Sequence, residues 1–434
     1  MKVRILKLEE ERDQIARIKN RSSGNILDVE NSVKAIIDNV KNNGNRALIE
    51  LTEKFDDVLL CEKKIIVKQN EIKQAYSKLS FSEILAIKNA AKNIKNYARF
   101  QKPKQWFKET STGIKIGVII KPIEKIGCYI PGGRYPLPST VLMSVIPAKV
   151  AGVKEIVIAT PPQKNGKINP AILVAADVAG VTKIIKVGGA QAVAAMAYGT
   201  KSIPKVDKIV GPGNIYVTAA KKLLYGIVGI DMLAGPSEVL IIADEDSNPK
   251  FIAADMLAQA EHDPLACSIL VTNSIELANA TKSEIEKQTE KLSSKEIIKQ
   301  SFEKFSCIIL VNSLDEAIKF SNQFAPEHLE LMGFEKEILK EIDNAGSVFL
   351  GEYSVEAAGD YCSGTNHILP TGMFSKIRGG LSVFDFLKFI TVQNLSKSGL
   401  KKLNSTISVL ADMENLPAHK NSSNIRFEVG DSLW

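Results

Sequence analysis

The 434-residue chain is poor in the features that would settle its class at a glance. No stretch approaches the roughly 18 apolar residues of a membrane-spanning helix, so no membrane partner is expected. Met1-Lys2-Val3-Arg4 leads into Glu9-Glu10-Glu11 with no apolar segment between, so no secretory leader is expected. The five cysteines, Cys61, Cys128, Cys267, Cys307 and Cys362, are odd in number and widely spaced, with no Cys-x-x-Cys among them. That pattern fits a reducing, cytoplasmic setting and excludes a disulfide framework. The net charge of +7 comes from lysines spread along the chain, and only 6% of residues are aromatic. A nucleic-acid surface is therefore not expected, though weak attraction of anionic substrates is allowed. No G-x-G-x-x-G occurs, so the dinucleotide fingerprint with its ribose-binding acid is missing.

What is present is ordinary globular material, 45% hydrophobic and 24% charged, with enough core to fold unaided. Residues 1–25 carry one short helical pattern, Leu8 to Ile18. Asp28 is a candidate cap for a helix to Asn42, and further helices are read at Arg46 to Phe55 and Ser82 to Phe100. Gly113 to Ile130 reads as two strands around Lys121-Pro122-Ile123-Glu124. The loop Pro131 to Thr140 ends in a helix cap. From Glu155 strands and helices alternate, which predicts a parallel sheet covered on both faces. Its turns Gly188-Gly189-Ala190-Gln191 and Gly211-Pro212-Gly213-Asn214 open helices, where open α/β sheets take ligands; glycine also serves such turns without any ligand. A second αβ unit runs from about 238 to 350. It includes a charged, exposed helical hairpin, Ile275 to Phe305. The fold expected is α/β: two incomplete Rossmann-like parallel-sheet domains and an extended helical tail. The divisions expected are 1–25 as a helical segment, 26–128 with 238–380 as the first domain, 129–237 as the second, nucleotide-binding domain, and 381–434 as the tail. The tail has too little core to stand alone and must dock on the body or on a second subunit.

The four histidines, His262, His328, His367 and His419, all lie in short polar segments. Gln259 and His262 are i and i+3 on a helix, with Cβ atoms about 5–6 Å apart on one face. Together with Asp360 and His419 they make a plausible metal set: two imidazoles, a carboxylate and an amide oxygen. Zinc accepts such ligands, and manganese or cobalt tolerates them. The competing reading leaves Gln259 and His262 as hydrogen-bonded polar groups at a helix end. Glu327-His328 offers an acid–base pair after Pro326; the same residues also read as a helix start, with proline at its first position. Cys362 reads as a small buried filler.

Taken in order, these segments resemble the histidinol dehydrogenases. The resemblance runs from about Ile26 onward. It rests on Pro131-Gly132-Gly133 with Pro138-Ser139-Thr140-Val141-Leu142-Met143, Gly188 to Ala192, Gly211 to Asn214, Ala234-Gly235-Pro236-Ser237-Glu238, the Gln259/His262 helix, Pro326-Glu327-His328, Gly359-Asp360-Tyr361 through Asn366-His367, and Glu414 to His419. It implies one zinc per subunit on Gln259, His262, Asp360 and His419, and NAD contacts at Tyr129, Gln191 and Asn214. It implies substrate contacts at Ser237, Gln259, His262, His328, Asp360, His367, Glu414 and His419, with Glu327 and His328 as catalytic acid–base residues. Arg134, Tyr135 and Cys362 occupy positions expected to vary. The activity implied is the four-electron, NAD-dependent oxidation of L-histidinol to L-histidine through histidinal. The assembly implied is a homodimer whose tails cross over. The alternatives are a zinc-dependent hydrolase or lyase in which Glu327 activates a metal-held water, and a non-catalytic nucleotide- or metal-binding protein.

Overall fold

A computed structural model describes residues 3–19, 21, 25–132 and 135–428. Gly133 and Arg134 lie outside the described residues. The chain forms two units, residues 1–101 with 124–385, and residues 102–123 with 386–434.

The first unit holds two wholly parallel sheets, as the alternating texture predicts. One has five strands: β4 (Lys125–Tyr129), β5 (Glu155–Ala159), β6 (Lys183–Ile185), β7 (Lys208–Val210) and β8 (Gly229–Ile230), in the order β6-β5-β4-β7-β8. The other has six: β1 (Ile5–Lys7), β9 (Glu238–Ala243), β10 (Cys267–Thr272), β11 (Cys307–Leu310), β12 (His328–Met332) and β13 (Ser347–Leu350), in the order β1-β11-β10-β9-β12-β13. Helices on both faces bury near-continuous apolar runs such as Ile156-Val157-Ile158 and Val239-Leu240-Ile241-Ile242. In each sheet the chain builds outward on one side of a central strand, then crosses to the other. The switch points are therefore β4/β7 and β9/β12.

Local chemistry punctuates the helices as expected. Asn169, Asn214 and Asn248 accept backbone N–H bonds at the starts of helices Pro170–Ala179, Ile215–Leu224 and Pro249–Ala260. Five readings need correction. Asp28 lies inside the first turn of helix Asn25–Asn43 and is not its cap. Ile5–Lys7 adds an edge strand to the helical N-terminal segment; three residues are too few for alternation to show. Helix Pro138–Ala151 begins before Thr140, so Thr140 lies within it and is no cap. The charged hairpin, helices Ile275–Thr289 and Lys295–Lys304, is no exposed appendage: Ile285, Ile298 and Phe302 are fully buried in the core over the six-stranded sheet. Pro326-Glu327-His328 opens a strand, not a helix, because Ala325 turns left-handed (φ 51°) and ends helix Leu314–Phe324.

The second unit is an antiparallel sheet, β14 (Leu387–Leu395), β3 (Ile114–Pro122) and β2 (Trp106–Ser111), with helices Lys397–Met413 and Pro417–Glu428. Trp106, Phe107, Ile116, Val409, Leu410, Met413 and Ile425 are exposed in it. Among the described residues no helix is long and apolar enough to cross a membrane.

Candidate active site

At the carboxyl ends of β4 to β7 the five-stranded sheet makes a crevice from backbone. Gly211 follows β7 at φ +112°, and a Cβ there would run into the carbonyl of Tyr129, the last residue of β4. The loops after β4 and β7 can close only because that side chain is absent. Gly132 and Gly188 are similarly closed against Pro161. The Gly211 loop is held from behind: its N–H donates to Asp231 at 2.7 Å, its carbonyl accepts from Lys221 Nζ at 3.0 Å, and Lys221 and Asp231 form a buried ion pair. Tyr129 is buried, and its hydroxyl accepts the Gly189 N–H at 3.0 Å. Gln191 is buried in helix Gly189–Tyr198, and Asn214 is exposed at its cap. The three residues expected to meet nucleotide thus all belong to this crevice.

A second site lies at the other end of the six-stranded sheet, among the amino ends of its central strands. Helix Pro249–Ala260 runs back along the sheet after β9, which returns Gln259 and His262 to the end where β9 and β12 start. Gln259 is fully buried and its Oε1 has no hydrogen-bond partner. Its Nε2 lies 3.5 Å from His328 Nδ1. His328, the first residue of β12, donates from Nδ1 to the Glu238 carbonyl at 3.0 Å. A carbonyl can only accept, so this bond fixes the proton on Nδ1 and leaves Nε2 for chemistry. Nε2 is buried, lacks a hydrogen-bond partner and stands 3.7 Å from Asp360 Oδ1. Glu238 serves both neighbours: its N–H donates to Glu327 Oε2 at 2.8 Å. Its own carboxylate is neutralised by Arg21 at 2.7 Å, in a pair whose side chains are each 1% exposed. His367 donates from Nδ1 to the Asp360 carbonyl at 2.8 Å, and its Nε2 meets Thr140 Oγ1 at 3.2 Å. Ser237 is half-buried directly before β9.

The electrostatics are unbalanced. Burial pushes the Glu327 and Glu356 carboxyls each up to about 8, against the pull of His328. Burial opposes a charged His328, but Glu356, Glu327 and Asp360 outweigh it and carry the imidazole well above its usual range. Burial also disfavours the Asp360 anion, yet His328, His367 and His262 hold that carboxyl below its usual value. His262 reaches the surface, and desolvation still keeps its imidazole low. Among the described residues, the His328, Glu356 and Asp360 ligand atoms lie within 4.8 Å of one another, close enough to share a cation. A buried amide oxygen without a partner, an ionised carboxylate and a neutral imidazole are a donor set for a borderline divalent ion, so Gln259, Asp360 and His262 fit the metal expected there.

Glu414 and His419 lie in the second unit, both exposed, His419 near the start of helix Pro417–Glu428. Cys362 is exposed and so is not the buried filler expected. Arg21, Glu238 and Glu356 escaped the sequence reading as participants. A glutamate at the head of an apolar strand was the available signal for Glu238; Arg21 gave none.

Comparison with known proteins shows the chain's relatives. A family model described as histidinol dehydrogenase matches residues 19–427. A histidinol dehydrogenase of Clostridium acetobutylicum is 51% identical over 412 residues, covering 95% of each chain. One of Methanothermobacter thermautotrophicus is 50% identical over 94% of this chain and 96% of its own. The crystal structure of histidinol dehydrogenase from Elizabethkingia anophelis superposes with a TM-score of 0.93 at 42% identity, over 98% of both chains.

Proposed function

Because this chain belongs to the histidinol dehydrogenase family, we propose that it oxidises L-histidinol to L-histidine through histidinal with two molecules of NAD, in the cytoplasm, as the closing steps of histidine biosynthesis. The observation that carries the reading is His328: one nitrogen pinned to a carbonyl, the other buried, partnerless and beside Asp360. In its neutral form such a group takes the proton of a substrate hydroxyl while hydride leaves the adjacent carbon, giving the aldehyde. Glu327, in its ionised form, then takes a proton from the water that adds to the aldehyde. A second hydride departs from the hydrate and leaves the carboxylate. NAD, when bound, would supply the hydride acceptor for each step, and zinc, when bound, would supply a positioning site for the amino alcohol. Tyr129, Gln191 and Asn214 would contact the nucleotide, in the crevice at the carboxyl ends of the five-stranded sheet. Gln259, His262 and Asp360 would hold the zinc, with His419 as the fourth ligand. Ser237, His367 and Glu414 would contact substrate.

The tail is proposed to cross to a second copy, so that Glu414 and His419 serve the partner's site. The apolar side chains left exposed in the second unit support a homodimer. Mixed dimers of two inactive variants, His262→Ala and His419→Ala, should regain activity; none regained would refute the exchange. For the reaction itself, histidinol and NAD should yield two NADH per histidine, chelation should abolish turnover and zinc should restore it. Hydrolysis without NAD would favour the metallohydrolase instead.

A further inference from the structure

Beneath the site lies a second tier of acids. Asp255 is one turn before Gln259 on the same helix, and Glu356 is one turn before Asp360 on helix Glu356–Tyr361. Glu330 is two residues beyond His328 on β12, so both project from one face of the strand. Each element thus offers one residue to the site and one buried carboxyl below it. Relative exposures are 8% for Asp255, 1% for Glu330 and 2% for Glu356, and each carboxyl has an oxygen without a hydrogen-bond partner. Buried acids left this way cost stability, and apolar residues of like volume would serve packing as well or better.

Two contacts show what the tier does. Glu330 Oε1 accepts the backbone N–H of Glu356 at 3.1 Å, tying the head of the Asp360 helix to β12. Val355, which precedes that helix, supplies no side-chain cap, so the bond comes from another element. The Glu356 carboxylate in turn stands 3.7 Å from His328 Nδ1. Strand and helix are therefore joined by one hydrogen bond and one close approach of charged groups, next to the His328–Asp360 pair.

We propose that Glu330 is a positioning residue: by accepting the Glu356 N–H it seats the Asp360 helix against β12 and sets the separation of His328 from Asp360. This rests on the reading of His328 as base and Asp360 as zinc ligand. A carboxylate that orients ligand-bearing elements typically carries about 10- to 100-fold in metal affinity or activity, and misplacement by about 1 Å costs a similar factor.

The test uses the full-length, zinc-loaded enzyme and the variants Glu330→Gln, Glu330→Leu and Glu330→Met. Glu330→Gln keeps an acceptor oxygen and should stay within about threefold of the parent in kcat and in zinc retained against a competing chelator. Glu330→Leu should lose about 10- to 100-fold in both, with Tm lowered by no more than ~3 °C or raised. Leu and Met variants that keep kcat and zinc retention overturn the proposal. So does a Gln variant that fails as the Leu variant does, since charge and not hydrogen bonding would then be the cause. If neither the Leu nor the Met variant folds, Glu330 is a folding residue and the proposal is wrong. A parent enzyme that neither retains zinc nor oxidises histidinol sinks the underlying reading instead, before any variant is compared.

Discussion

The two sheets of the first unit solve opposite problems. The five-stranded sheet makes its crevice at the carboxyl ends of its strands, where open α/β sheets bind ligands, and the groups that hold its Gly189 and Gly211 loops are already paired. Tyr129, Asp231, Lys221 and the Asn214 carbonyl oxygen all have partners. The six-stranded sheet gathers its reactive groups at the opposite ends, around the first residues of β9 and β12. There Gln259 Oε1, His328 Nε2, Glu330 Oε2 and Glu356 Oε2 have none. One end is a finished cradle of backbone, ready for a ligand that arrives and leaves. The other is electrostatically incomplete and calls for a cation and a mobile proton. Fold-level rules locate the first; only side-chain chemistry locates the second.

The largest expected effect separates chemistry from binding. His328→Asn retains an amide that can donate to the Glu238 carbonyl but has no nitrogen that takes up a proton. Steady-state kinetics should show kcat for histidinol falling by roughly 10²- to 10⁴-fold, while NAD affinity, measured by titration calorimetry, stays near the parent's. A matching loss of NAD affinity would show that the two ends are not independent, and the contrast would fail.

The paired end should break differently. Lys221→Met leaves Asp231 buried, charged and without its ion-pair partner, at side-chain exposures of 3% and 0% for the original pair. Removing one member of such a pair costs about 3–5 kcal/mol, so denaturant unfolding should report a loss of that order. The slackened Gly211 loop should also raise KM for NAD more than it lowers kcat. Unchanged stability would mean that the crevice is not held from behind as described.

How much of this was legible followed the same divide. The loops Gly188-Gly189 and Gly211-Pro212-Gly213 could be read because a tight turn states its need for glycine locally. Gln259 and His262 could be read because i, i+3 is a local relation. The acids under the site could not. In Leu329-Glu330-Leu331 the alternation puts Glu330 on the opposite face from the leucines, which ordinarily means water; only the helix packed over that face makes it interior. Glu356 reads as a charge at a helix start. Arg21 lies in a stretch with no periodicity, and nothing in it announces a buried partner in Glu238, 217 residues later. From sequence the start of β12 reads as an acid–base pair or a helix start, and not as a strand, because proline opens helices and strands alike. The left-handed Ala325 that decides between them has no sequence signature.

The smallest expected effect tests whether the crevice end is as quiet as its pairing suggests. Asp56, at the end of helix Asn45–Asp56, is an exception there, as is the Thr160 hydroxyl after β5: the Asp56 Oδ2 has no partner, and burial raises its carboxyl to about 6. A carboxyl raised in the folded state favours folding while it is protonated, and that contribution fades as pH rises through the folded value. Asp56→Asn should therefore match the parent near pH 4 and exceed it above pH 6. Because Asp56 is only half-buried, solvent screening keeps the gain below about 1 kcal/mol. Thermal scans should show a shift of about 1–2 °C at pH 8 and none at pH 4. At the other end, Glu327 and Glu356 carry the same sign of perturbation but larger, to about 8. A variant that gains equally at both pH values would show that Asp56 acts through packing, and would leave the crevice without a strained charge.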